Sequence, residues 1–111
     1  MKEGDVVLTR FVQADGTTKN RPAIVLRTVP PFADLLVCAV SRQFKHRVPN
    51  LDDVILDTDR DFPSSGLAGP SLIRVGFLAT LPPAEFLGPI GFVSAERHEG
   101  LLHRLADFFA R

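Results

Sequence analysis

Three residues of this 111-residue chain, Arg21, Ser41 and Arg74, have side chains suited to gripping a phosphodiester. Arg21 stands in the segment TTKNRPAIVL, with Lys19 two residues before it and Pro22 directly after. A residue that precedes proline is driven from the helical region toward extended backbone. Its guanidinium therefore projects from a stiffened point and can hold phosphate oxygens with two N–H groups at once. An arginine at a strand entrance can equally be structural. Ser41 closes the run LLVCAVS, where alternation sets Leu35, Val37, Ala39 and Ser41 on one face. Its hydroxyl emerges where that apolar face runs out, and the plain alternative is a hydrogen bond to its own turn. Arg74 lies inside SLIRVGFLATL, where a charge among aliphatic neighbours needs an acidic partner or a wet face. Two cations and a hydroxyl contain no nucleophile–base pair. They suit a substrate that carries its own nucleophile, as RNA does in its 2′-hydroxyl, with the protein stabilising the charge on phosphorus.

A second polar set surrounds these three. Arg42, Gln43, Lys45, His46 and Arg47 form a basic loop with one ring, Phe44. That pattern suits single-stranded nucleic acid, where cations follow the backbone and rings stack on bases. Lys19, Asn20, Gln43, Lys45 and His46 are the expected RNA-binding residues. No metal site is expected, because His46, His98, His103 and Cys38 share no ligand spacing. Asp57, Asp59 and Asp61 begin like a calcium loop, but Phe62 stands where glycine is required and Ala68 where glutamate is. They read as a solvated acidic loop. Nor is there a Walker loop, a dinucleotide fingerprint or a nucleophile elbow, so no cofactor is expected.

The elements that must position these residues follow from composition and pattern. Hydrophobic residues make up 45% and charged residues 23%, as in an ordinary globular protein, and the length suits one domain over residues 1–111. Thirteen basic and 13 acidic residues cancel, which excludes a binder that works through a uniformly basic surface. Cys38, the single cysteine, lies in an apolar run and reads as a small buried hydrophobe. No stretch is long and apolar enough to span a membrane, and the polar opening MKEGDVVL is unlike a signal peptide. The expected compartment is the cytoplasm.

Residues 5–12, 21–27, 35–41, 52–58 and 71–81 read as strands, and LGPIGFVS adds a short sixth. The polar run VQADGTTKN and the segment DRDFPSSGLAGP read as loops. The chain closes with a helix, SAERHEGLLHRLADFFAR, with Ser94 as N-cap and Glu96 at the positive end of the dipole. Leu101, Leu102, Leu105, Phe108 and Phe109 recur at helical spacing and form one apolar face. Short strands, long loops and one terminal helix predict a small, strongly curved antiparallel sheet or barrel.

In the order GDVVL, KNRPAIVL, AVSRQ, GLAGPSLIRVGFLATL and GPIGFVSAERHEGLLHRL, the chain resembles the MazF/PemK toxins of type II toxin–antitoxin pairs. The resemblance implies a mainly β fold with α, an SH3-like small barrel with a C-terminal helix, acting as a homodimer. It implies an endoribonuclease that cuts single-stranded RNA, often mRNA, without a metal and leaves a 2′,3′-cyclic phosphate. The family's catalytic positions fall on Arg21, Ser41 and Arg74, and a cognate antitoxin would block the RNA groove. The acid that several relatives carry two residues after the fifth-strand arginine is Gly76 here, and the first loop has no histidine, leaving His46 or Asp15 as stand-in bases. Two other readings stay open. One is a barrel that grips RNA without cutting it; the other is a gyrase poison resembling CcdB, which acts through a helix end bearing Trp, a residue this chain lacks.

Overall fold

The computed structural model describes every residue except Gln13, which falls in the first expected loop, and leaves the side chains of Phe11 and Val12 undescribed. Six strands form: β1 (Asp5–Val12), β2 (Thr18–Val29), β3 (Asp34–Ser41), β4 (Asp53–Ile55), β5 (Ser71–Leu81) and β6 (Phe86–Phe92). Among the described residues two α-helices accompany them, a one-turn α1 (Phe62–Ser65) and the terminal α2 (Ala95–Phe109). The strands make one antiparallel sheet in the order β4-β5-β3-β2-β1-β6. Register shifts in β1–β6, β2–β3 and β3–β5 bend this sheet, and it curls into the expected barrel-like body.

Alternation divides the apolar residues between two faces. One carries Val6, Ile24, Leu26, Cys38, Val40, Ile73 and Val75 and packs with Leu101 and Leu105 of α2. The other carries Val7, Ala23, Val25, Leu35, Val37 and Phe86 in a smaller cluster. Burial pushes the Cys38 thiol up to about 12, so it behaves as the inert hydrophobe the sequence suggests. Helix α2 starts as its sequence predicts, with Ser94 Oγ accepting the Arg97 amide at 3.1 Å. Its apolar face is shorter than expected. Leu101 and Leu105 are buried, each contributing about 1.5–3 kcal/mol. Phe108 and Phe109, in the last turn of the helix, are 42% and 68% exposed.

The strand limits differ from expectation at two places. β2 begins at Thr18, so Lys19 and Asn20 belong to the strand, paired with Phe11 and Arg10, rather than to a loop before it. β4 is only Asp53–Ile55, because Asp59 Oδ2 accepts the Leu56 amide and turns the chain.

The irregular segment after β4 is what closes the barrel. Within it α1 lies against β6, with Ser64 Oγ donating to the Phe92 carbonyl at 3.0 Å. Gly91 permits that approach, since any Cβ there would run into the Ser64 and Ser65 backbone.

The acidic residues are not a solvated loop. Asp53, Asp59 and Asp61 converge on Arg97 at 2.9, 2.9 and 2.8 Å, tying β4 and the closing segment to α2. Burial alone would raise the Asp61 carboxyl, but hydrogen bonds from Arg97 and the Ser94 amide outweigh it and hold the group below its ordinary value. Only Asp57 of the expected trio is exposed. Asp52 is buried and accepts the Val48 amide at 2.9 Å and the Val75 amide at 3.2 Å.

Candidate functional site

The central strands β2, β3 and β5 place Arg21, Ser41 and Arg74 together. Ala23 pairs with Ala39, and Ala39 pairs in turn with Arg74. Arg21 and Ser41 lie two residues beyond those partners on the same face, since side chains repeat with period two. All three line one cavity of about 390 Å³, whose apolar wall includes Ala23, Val37, Ala39, Ala79 and Leu81. A second hollow of about 330 Å³ shares Arg21, Pro22, Val40 and Ser41 with the first. Lys19, Asn20, Arg42 and Gln43 line its far side. Lys45 and His46 sit on a 3-10 turn, exposed, and line neither hollow.

Each of the three has a definite local setting. Arg21 is exposed, and its carbonyl accepts the Thr9 hydroxyl at 3.2 Å across the β1–β2 pair. Ser41 is half-buried and accepts the Gln43 amide at 3.0 Å, so the turn bond anticipated as its plain alternative forms. That bond uses a lone pair of Oγ and leaves the hydroxyl hydrogen free to donate into the cavity. Arg74 is half-buried, and among the described residues no carboxylate pairs with it. Its guanidinium carbon instead lies 4.9 Å from the centroid of the Phe77 ring.

Residues 2–109 match the PemK-like, MazF-like toxin of type II toxin-antitoxin system. The chain belongs to that family. No curated protein matches it.

In this PemK-like chain the structure shows what surrounds Gly76, the position where the sequence resemblance led to the expectation of an acid. A Cβ on Gly76 would lie 3.1 Å from Leu51 Cδ2, so a side chain would start toward the buried Leu51. Asp15 accepts both the hydroxyl and the amide of Thr17, which hold its carboxyl below the ordinary value and make it a weaker base. Neither Asp15 nor His46 lines the cavity.

Sequence reasoning missed Arg10 and Phe77 as wall residues, and put Arg42 in the basic loop without counting it among the RNA-binding residues. The structure lays the Arg42 guanidinium across Gly69, where any Cβ would collide with it. Phe77 could not have been found from alternation. Three residues after Arg74, it should point to the opposite face. The register with β3 jumps from Arg74 to Leu78, so Val75, Gly76 and Phe77 form a bulge, and Phe77 joins Arg74 in the cavity wall.

Proposed function

We propose that this chain is a toxin endoribonuclease that cuts single-stranded RNA, mRNA first among candidates, by attack of the RNA's own 2′-hydroxyl. The observation that carries the reading is the convergence of Arg21, Ser41 and Arg74 on one face of three adjacent strands. In the reaction O2′ bonds to the neighbouring phosphorus, the P–O5′ bond breaks, and the products are a 2′,3′-cyclic phosphate and a 5′-hydroxyl. Arg21 and Arg74 stabilise charge on the non-bridging oxygens, and the Ser41 hydroxyl donates to one of them. The O2′ proton leaves to water at the open cavity mouth, and O5′ takes one from water. Two guanidiniums supply cationic stabilisation of the kind a metal ion would give, so the reaction runs without one. Lys19, Asn20 and Gln43 hold the flanking chain in the second hollow, while Lys45 and His46 meet it beyond. Family membership supports a cytoplasmic toxin that works as a homodimer and is neutralised by a cognate antitoxin.

Incubation of the purified protein with a long single-stranded RNA in EDTA, followed by mapping of fragment ends, tests this reading. Cuts at a short recurring motif with cyclic-phosphate ends are expected. Arg21→Ala should lower the rate by at least about a hundredfold, the scale of losing one charge-stabilising donor. Its melting temperature should hardly change, since Arg21 is exposed. RNA that stays intact at saturating protein would overturn the nuclease reading and leave an RNA-binding barrel.

A further inference from the structure

The cavity that holds the three polar residues is lined mostly by carbon, which a phosphate alone would not need. Its wall also carries a ring, Phe77, that is 51% exposed. This ring is placed by the bulge of Val75, Gly76 and Phe77, which the buried Asp52 pins through the Val75 amide. Regular pairing would have turned Phe77 away from Arg74. The Arg74 guanidinium lies over one side of the ring, and about half of the residue's surface stays open. An aromatic face backed by a cation and set beside an apolar wall is what a nucleobase stacks on. Phe77 is one residue beyond Gly76, so the bulge that lacks an acid presents a ring instead.

We infer that Phe77 is a stacking platform for a nucleobase adjoining the phosphate held by Arg21, Ser41 and Arg74. This inference rests on the nuclease reading for the identity of the ligand as RNA. In that role the ring gives a base contact that does not depend on which base is present, because every base has a π face.

Binding of labelled 2′-O-methyl oligonucleotides, which carry no free 2′-hydroxyl and cannot be cut, tests the inference apart from cleavage. The probes are homopolymers of each base and an abasic chain of the same length. For at least one base, wild-type protein should bind the base-bearing chain more tightly than the abasic one. Phe77→Ala should weaken binding of that homopolymer by about 5- to 150-fold, the range for loss of one base stack. Affinity for the abasic chain and the slope of affinity against salt should not change, since no phosphate contact is lost. Phe77→Tyr should restore the wild-type pattern.

Equal weakening of abasic and base-bearing chains, or a shallower salt slope, would overturn the platform and reduce Phe77 to a support for Arg74. Wild-type affinity that ignores the bases would overturn it as well. Base-dependent binding through Phe77 with RNA left uncut would sink the nuclease reading while sustaining this one.

Discussion

Ser41 shows how one hydroxyl serves two masters. Its oxygen holds the Gln43 amide and so shapes the loop after β3, and its hydrogen remains available to the cavity. Gly76 poses the opposite question, whether a missing side chain leaves a missing function. Its Cβ vector runs to Leu51, which is 6% exposed and part of the α2-side core. A carboxylate added there would crowd a buried leucine at a cost of about 1–3 kcal/mol. Gly76→Asp should therefore lower the melting temperature by several degrees and leave the cleavage rate within about twofold of the parent. A rate increase of about tenfold or more would show that the carboxylate reaches the reacting phosphate and that the glycine is a true deficit. The three residues chosen from sequence were legible because alternation is a local rule: Arg21 and Ser41 each lie two residues from the paired Ala23 and Ala39, and Arg74 pairs with Ala39 before the bulge begins. Phe77 was not, because a bulge is set by what pins it, and Asp52 lies 23 residues away from the amide it holds.

At the scale of elements the same distance hides the acidic cluster. Asp53, Asp59 and Asp61 lie 36–44 residues before Arg97, and nothing local marks them as partners. Strands and the terminal helix were legible from period and capping; the clasp between them was not. Arg97 joins β4, the closing segment and α2, and its side chain is 13% exposed. Arg97→Met would keep the apolar stem but leave three carboxylates facing one another. The loss should be about 2–4 kcal/mol at pH 7, somewhat below that for a wholly buried pair. Its sign with pH follows from Asp61, whose folded value is depressed. Such a group contributes stability above the ordinary carboxylate value near 4 and loses it as pH falls through its folded value. The gap between parent and variant in urea unfolding should thus be widest at neutral pH and narrow below about pH 4. A gap of equal size at pH 7 and pH 3 would mean that Arg97 acts by packing rather than charge.

At the scale of the molecule, the chain has nine phenylalanines and no tyrosine or tryptophan. Phe32, Phe44, Phe77, Phe92, Phe108 and Phe109 are all exposed. Phe108 and Phe109 stand 6.0 Å apart at the end of α2, beyond the part of the helix that the sheet buries. These rings have no polar atom with which to meet water. The net charge is zero, so no long-range repulsion keeps copies of the chain apart. Both features favour the proposed homodimer, and a dimer has a thermodynamic signature that needs no structure to detect. If folding is coupled to association, each tenfold rise in protein concentration adds about 1.4 kcal/mol to apparent stability. A hundredfold range should then move the urea midpoint upward by roughly 1 M or more, given slopes of about 1–3 kcal/mol/M. A midpoint that stays fixed across that range, with sedimentation giving a mass near 12.2 kDa, would make the chain a monomer. In that case any RNA site would have to be complete within one copy, and the exposed rings would need another partner.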